Sequence, residues 1–150
     1  MIAYLLTRPD VTIDRFAAVI AREFPLSSLS DETVRLRVTT QDEVDFDAVS
    51  VQEMTLQNAL EEWDADSPLV QELFHNPHLQ GASKPFSVTL RNSRPSNQLF
   101  PVVVRCLTDA GITAVVVGQY GLDLPAIEFL RRVEANPSWQ WDYETATHGG

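Results

Sequence analysis

Two histidines and a glutamate near the middle of the chain have the residue types of a metal site. Glu72 and His75 are three residues apart on a predicted helix and share a face of it, and His78 follows in the next loop. A di-iron site needs a second Glu-x-x-His pair and two more glutamates, and a zinc site needs at least three well-spaced ligands. Because neither set is visible, we predict no metal and no cofactor. His75 then stabilises a helix C-terminus, where an imidazolium interacts favourably with the dipole.

Two arginines in a turn have the residue type of an anion site. Arg91 and Arg94 lie in the stretch 91–97, which joins a predicted strand end to a predicted helix start. Backbone N–H groups and the helix dipole favour a negative ligand at such a place. The Asn, Ser and Pro residues of the same stretch are also ordinary turn and cap residues. The sequence therefore leaves open both an anion site at these arginines and a turn without a ligand.

The single cysteine, Cys106, has the wrong surroundings for a nucleophile. It falls on the apolar stripe of a predicted helix, where a buried thiol behaves as a small, inert hydrophobic group. The sequence has neither the Gly-x-Ser-x-Gly motif of a hydrolase nor a phosphate-binding Walker loop. Gly118 and Gly121 follow a predicted strand without the spacing of a dinucleotide site, so a tight turn explains them. We predict no catalytic residue.

Carboxylates are the chemical group that the sequence concentrates. The net charge is -10, and no lysine or arginine lies between Arg37 and Lys84. The ten acids of this stretch, residues 38–83, equal the net charge, while the remaining residues balance at eleven acids and eleven bases. We call this stretch the acidic segment. Its acids are Asp42, Glu43, Asp45, Asp47, Glu53, Glu61, Glu62, Asp64, Asp66 and Glu72.

The acidic segment limits the classes of partner. Phosphate binding releases counterions only where lysine or arginine replaces them, so nucleic acid is disfavoured, and an anionic membrane surface is disfavoured for the same reason. A basic protein surface is attracted instead, and a divalent cation less often. The densest run, 42–47, lacks the glycine and the distal glutamate of an EF-hand loop. A solvated face that only keeps the protein soluble is the alternative interpretation.

Length and hydrophobic content predict one globular domain over residues 1–150, with 145–150 as a frayed tail. The chain has 150 residues, of which 44% are hydrophobic and 21% charged. The apolar run 1–7 is too short for a signal sequence or a membrane span, so we expect a cytoplasmic protein.

Apolar periodicity predicts the element order βαββαβαβαβ. Predicted strands cover 2–6, 34–38, 46–52, 86–90, 112–117 and 139–143, with 27–32 as a loop. The predicted helix boundaries are marked by Thr12, Pro25, Thr55, Pro68, Pro77, Gly111 and Asp123. The alternating Trp139, Trp141 and Tyr143 predict a final strand whose aromatic face closes the core. One α+β sandwich fits this order, with helices packed on a mixed sheet and a ferredoxin-like first half.

Two patches of sequence carry a resemblance. They are LLTRP at 5–9, followed by an amphipathic helix, and AVVVG at 114–118, which leads to LPAIEF at 124–129. Together they resemble an uncharacterised bacterial domain family, a domain of unknown function. The resemblance implies a bacterial α+β domain, and because the family has no established activity it transfers no site residue.

The leading hypothesis is a non-enzymatic, intracellular protein whose acidic segment docks on a basic, toxin-like partner, as a bacterial immunity protein or antitoxin-type inhibitor does. Toxins that attack nucleic acid need cationic clefts, and an acidic domain can occlude one after electrostatically steered association. The alternative is a small enzyme or ligand-binding domain with an anion or metal site near Arg91, Arg94, His75 and His78. Homodimerisation through the aromatic C-terminal strand is compatible with both. The predicted partner-binding residues are Asp42, Glu43, Asp45, Asp47, Glu61, Glu62, Asp64 and Asp66, with Trp63 as an apolar anchor.

Overall fold

The sheet and the helices packed on it build an α+β architecture. The computed structural model describes residues 2–8, 10–25, 27–39, 45–55, 58, 84–90, 94–118, 122–139 and 141, with the backbone alone at 37–39, 45–48 and 94–97. The strands are β1 (Ile2–Thr7), β2 (Ser28–Ser30), β3 (Thr33–Thr39), β4 (Asp45–Glu53), β5 (Lys84–Leu90), β6 (Ala114–Val117) and β7 (Asp123–Pro125). The helices are α1 (Ile13–Glu23), α2 (Arg94–Asp109) and α3 (Ala126–Ala135).

The first strand lies in the middle of the sheet. The seven strands follow the order β2-β3-β4-β5-β1-β6-β7, and every neighbouring pair among them is antiparallel. The mixed sheet that the sequence predicted is therefore corrected to an antiparallel one. The physical reason is the position of β1: helix α2 connects β5 to β6, which run in the same direction, and β1 is inserted between them. Without β1 between them, β5 and β6 would form a parallel pair. Each of them instead forms an antiparallel pair with β1.

Local chemistry sets both ends of helix α1. Thr12 is the N-cap, and its Oγ1 accepts a hydrogen bond from the backbone N–H of Arg15 at 3.2 Å. Asp14 lies in the first turn and Arg22 in the last, where each charge interacts favourably with the helix dipole. The helix ends at Glu23, and the helix predicted between Thr12 and Pro25 is confirmed.

Helix α2 ends in a Schellman motif at Gly111, whose φ is +79°. The N–H of Gly111 donates to the carbonyl of Thr108 at 3.0 Å, and the N–H of Ile112 donates to the carbonyl of Leu107 at 2.9 Å. This geometry satisfies two carbonyls that the last turn leaves without a helical donor. The predicted role of Gly111 as the residue that closes this helix is confirmed.

The start of α2 differs from its prediction. In the sequence, the apolar stripe of this helix starts at Leu99, which predicts that Pro101 lies in the first turn. The helix instead begins at Arg94 and contains Pro101 in its interior. Proline lacks the N–H for the bond to the preceding turn, so the helix continues through this position with one backbone bond fewer.

The stretch 27–32, predicted as a loop, contains strand β2 and a two-residue turn. Asp31 and Glu32 have φ values of 52° and 59°, so both lie in the left-handed region. Two such residues between Ser30 and Thr33 form a turn of the I′ kind, whose twist matches that of the flanking strands. The turn lacks the Asn-Gly or Asp-Gly pair that usually marks it, and for this reason the hairpin was missed.

The sequence predicted that Asp123 caps helix α3, and this prediction is wrong. Asp123 lies in β7 and is buried, while Pro125 occupies the N-cap position without a side-chain hydrogen bond. The chain pairs Asp123 with Val117 on β6 before the helix begins. Three residues of strand pairing therefore replace the side-chain cap that was expected there.

The aromatic residues near the C-terminus close the core without forming a strand at Trp139 and Trp141. Trp141 is buried, stacks on Phe100 with ring centroids 4.7 Å apart, and meets Phe129 edge-on at 5.6 Å. Trp139 lies 5.8 Å from Phe129, with the Arg132 guanidinium 5.9 Å from its ring centroid. The prediction that this segment closes the core is confirmed for Trp141. The prediction of a strand is wrong at Trp139 and Trp141, because the packing of their rings fixes the segment. Tyr143 and 145–150 lie outside the described residues.

The central strands are buried on both faces of the sheet. Ala3 and Leu5 of β1 belong to the main hydrophobic core, together with residues of all three helices such as Phe16, Phe100 and Phe129. The intervening Tyr4 and Leu6 of β1, and Val117 beside Tyr4 on β6, are also buried but lie outside that cluster. A strand covered on both faces was predicted for 112–117, and the burial of β6 confirms it.

The connection between β4 and β5 begins with a capped turn. The Oγ1 of Thr55 accepts a hydrogen bond from the backbone N–H of Asn58 at 3.1 Å, as expected of an N-cap. The rest of the helices predicted after Thr55 and Pro68 lies outside the described residues. The ferredoxin-like first half, which needs these helices, stays a prediction.

Candidate functional site

Strand β4 carries two of the predicted contact acids, Asp45 and Asp47. Asp45 pairs in register with Thr39, and Asp47 pairs with Arg37 on β3. The register shifts between Leu36 and Arg37, so the residue between Asp47 and Val49 is an extra one on β4 and the strand is bulged there. The register therefore places Asp47 directly opposite Arg37, whereas Arg35 pairs with Ser50.

The two groups of predicted contact acids are attached at opposite ends of β4. The chain leaves β3 at Thr39 and enters β4 at Asp45, so the run 42–47 belongs to one end of the sheet. It leaves β4 at Glu53, and the run 61–66 follows from the other end. At roughly 3.4 Å per residue, the strand separates these two points by about 27 Å. The sheet thus divides the acidic segment into two groups at their points of attachment.

Glu53 is one acid of the segment that has a described cationic partner. Its carboxylate forms an ion pair with the Nζ of Lys84, where β4 and β5 meet at the end of the sheet. The two side chains are 33% and 26% exposed, so solvent screens the pair and its contribution to stability is small. Among the described residues, Lys84, the first base after the segment, therefore has Glu53 as its ion-pair partner.

Most of the other predicted site residues lie outside the described residues. Arg94 is the first residue of α2. Within the described ranges, no group of three or more His, Cys, Asp or Glu has an arrangement that could hold a metal ion. The predicted residues outside those ranges are Asp42, Glu43, Glu61, Glu62, Trp63, Asp64, Asp66, Glu72, His75, His78 and Arg91.

Charged side chains on α2 and α3 form ion pairs with each other. The guanidinium of Arg105 on α2 donates to the carboxylate of Glu134 on α3 at 2.9 Å. Glu128 accepts hydrogen bonds from Arg131 at 2.6 Å and from Arg132 at 3.2 Å. The bond from Arg131, and then that from Arg132, holds the pKa of Glu128 below its ordinary value. These acids are neutralised within the fold and offer little free charge to a partner.

The charge of the protein is unevenly divided. The acidic segment, residues 38–83, has ten acids and no lysine or arginine, and three of these acids, Asp45, Asp47 and Glu53, lie on β4. The residues outside the segment balance at eleven acids and eleven bases. The net negative charge of the protein is therefore concentrated in the acidic segment.

Cys106 lies half-buried between α1 and α2, beside a cavity of about 140 Å³ lined also by Val19, Arg22, Glu23 and Asp109. Burial raises the pKa of the thiol, and the negative charges of Glu23 and Asp109 raise it further. A thiol in these surroundings stays protonated at neutral pH and is a poor nucleophile.

Two open clefts meet at residues 111–113, and sequence reasoning missed both. One has a volume of about 280 Å³ and is lined also by Arg8, Asp10, Val11 and Arg15; we call it the charged cleft. The other has a volume of about 250 Å³, and we call it the apolar cleft. Its further lining residues are Thr108, Ala114, Pro125, Ala126 and Ile127. The available signal was two arginines on either side of the Thr12 cap, in a chain with few bases.

Comparison with known proteins returns no relative. No protein-family model matches the chain, and no curated protein or solved structure matches it. None of the helices in the described part of the chain is long and apolar enough to cross a membrane. The function has to be argued from charge and geometry.

Proposed function

We propose that this is a non-enzymatic, intracellular binding protein whose acidic segment docks on a basic protein partner. A bacterial immunity protein or antitoxin-type inhibitor of a toxin-like partner is the most concrete version. The observation that carries the proposal is the concentration of charge: the acidic segment, residues 38–83, has ten acids and no lysine or arginine, while the remaining residues balance at eleven acids and eleven bases.

The ion pairs of the framework support this proposal. Glu53, Glu128 and Glu134 each have a described cationic partner, so they contribute little to the field outside the protein. The bases that form these pairs are not available to the rest of the acidic segment. Uncompensated carboxylates attract a basic surface over about one Debye length and raise its association rate.

The division of the acidic segment by β4 gives the interface two parts. The first group is Asp42, Glu43, Asp45 and Asp47, and the second is Glu61, Glu62, Asp64 and Asp66, with Trp63 as the apolar anchor. We expect Asp47 to contribute least to binding, because Arg37 is its partner in register. The proposal includes the ferredoxin-like first half, in which the helices predicted after Thr55 carry the second group.

A binding experiment with matched variants tests the proposal. The full chain is used as bait in a lysate of the source organism, and a captured protein of high pI is then purified. Its association rate is measured at about 0.1 M and about 1 M salt, where the Debye length falls from about 10 to about 3 Å. We expect the rate to fall by about tenfold or more between these conditions.

Three fourfold variants of equal charge change locate the interface. Two replace the acids of one group each by Asn or Gln, and the control replaces four exposed framework acids in the same way. The control residues are Asp14, Glu23, Glu32 and Asp109. We expect a slower association from at least one of the first two variants and the wild-type rate from the control. Equal losses from all three variants would show a general charge effect and contradict the proposed interface.

The alternative function predicts a different result. A chain that binds no basic protein, but whose melting temperature rises with inorganic phosphate or Zn²⁺, would favour a ligand site near Arg91, Arg94, His75 and His78. Arg91→Gln together with Arg94→Gln would then abolish the shift caused by phosphate.

A further inference from the structure

The charged cleft and the apolar cleft share their central wall. Gly111, Ile112 and Thr113 line both, so the two clefts are adjacent at one short piece of the chain. This piece is fixed by the Schellman motif, in which Gly111 and Ile112 donate to the carbonyls of Thr108 and Leu107. A ligand that extends across it would contact a charged surface at one end and an apolar surface at the other.

Two arginines line the charged cleft. Neither Arg8 nor Arg15 forms an ion pair or a side-chain hydrogen bond with another described residue, in contrast to Arg105, Arg131 and Arg132. Guanidinium groups bind carboxylates through pairs of parallel hydrogen bonds.

Asp10 limits the charge of the ligand. It lines the same cleft as Arg8 and Arg15, so the three side chains together carry a net charge of +1. One negative charge on the ligand neutralises this set. A phosphate with two negative charges or a polyphosphate would be repelled by Asp10 without a further base to compensate. The charge count therefore favours a single carboxylate.

The apolar cleft has the volume and lining for a hydrocarbon group. Pro125, Ala126 and Ile127 line it, and Ile127 is 71% exposed, the highest value among the exposed large hydrophobic side chains of the described residues. The volume of about 250 Å³ exceeds the roughly 150 Å³ that suffices for benzene in an engineered cavity. A chain or ring of about six to eight carbons fits this volume by the same measure.

We infer that the two clefts form one binding site for a small monoanionic amphiphile, a carboxylate attached to an apolar group. Arg8 and Arg15 bind the carboxylate, and the wall formed by Pro125, Ala126 and Ile127 covers the hydrocarbon. The site lies at the end of the sheet where β1 ends and β6 begins, and the described residues that line it are not part of the acidic segment.

Octanoate is the probe that tests this site on the full chain. Its Kd is measured by calorimetry or NMR titration, beside acetate, which lacks the hydrocarbon, and 1-octanol, which lacks the charge. We expect octanoate to bind more tightly than either and to perturb the backbone signals of residues 111–113. Arg8→Gln and Arg15→Gln are each expected to weaken octanoate binding by about tenfold, since a hydrogen bond to a charged group is lost.

Two further variants separate the parts of the site. Ile127→Asp places a like charge beside the hydrocarbon and should weaken octanoate binding without unfolding the protein, because this side chain is exposed. Arg22→Gln removes an arginine of α1 that does not line either cleft and should leave the Kd unchanged. Equal binding of 1-octanol and octanoate, an unchanged Kd in both Arg8→Gln and Arg15→Gln, or no binding of octanoate would each overturn the inference.

Discussion

The indole of Trp141 stacks on the ring of Phe100 with centroids 4.7 Å apart and an interplanar angle of 29°. Phe129 contacts both rings edge-on, so the three side chains form one buried aromatic cluster. A residue close to the C-terminal end of the described chain thereby packs on two helices, α2 and α3. The cluster fixes the last described segment on the core.

We expect Trp141→Ala to lower the free energy of unfolding by about 3–5 kcal/mol, because it leaves a cavity beside two aromatic rings. Urea denaturation followed by circular dichroism measures this loss. Trp139→Ala is the control: Trp139 is only partly buried, and its removal should cost clearly less. Equal losses from the two variants would contradict the central position of Trp141 in the cluster.

Gly111→Ala should destabilise the protein by about 1–2 kcal/mol through backbone conformation alone, since an L-residue in the left-handed region is strained. Gly111 has a φ of +79°, and no heavy atom lies within 4 Å of where a Cβ would be placed. Gly111→Asn should lose less, because Asn tolerates this region better. Denaturation midpoints of the two variants check the prediction, and a larger loss in Gly111→Asn would refute it.

Glu32→Gly should stabilise the protein. Glu32 has a φ of 59° in the turn between β2 and β3, and glycine removes the strain of that conformation. The gain is reduced by the greater flexibility of glycine in the unfolded chain, so a net increase of about 0.5–1 kcal/mol is expected. Glu32→Ala keeps the strain and serves as the matched control. The prediction fails if both variants have the same melting temperature.

Cys106 should react slowly with iodoacetamide at neutral pH, because burial and two nearby carboxylates raise the pKa of its thiol. In the folded state the thiol therefore keeps its proton at pH values just above 9.0, the ordinary pKa of the group. At the same pH the thiol of the unfolded chain has lost its proton. The contribution of this group to stability is therefore complete below that pH and is lost as the pH rises through the folded-state pKa.

Asp109→Asn removes one of these negative charges and should increase the alkylation rate of Cys106 at a given pH. Labelling followed by mass spectrometry over a pH series measures the apparent pKa directly. Arg105→Gln changes a neighbouring charge on α2 that is paired with Glu134, and it is the control for a general effect on the helix. An unchanged profile in Asp109→Asn would show that Asp109 does not raise the pKa of this thiol.

Local signals in the sequence predicted the elements whose ends are chemically marked. Thr12, Thr55 and Gly111 act through hydrogen bonds within three to five residues, so the residue types alone indicate where a helix starts or ends. Hairpin β2–β3 and the position of Asp123 depend on pairing with neighbouring strands. The periodicity of a short polar stretch does not contain that information.

The candidate site was predictable only as a concentration of charge. The sequence shows which acids lack nearby bases, but the attachment of its two groups at opposite ends of β4 follows from strand pairing. Arg8 and Arg15 escaped prediction because their cleft is completed by residues 111–113, about a hundred positions later, which contact them only after β1 and β6 have paired.

The central place of β1 in the sheet bears on how the protein is made. Thr7 pairs with Lys84 on one side and with Ala114 on the other, so β1 acquires both neighbours only after the chain as far as β6 has been translated. Until then its apolar residues, among them Leu5 and Leu6, have no permanent cover. A nascent chain stalled before Ala114 would therefore be a target for chaperones and proteases, whereas the completed chain would not.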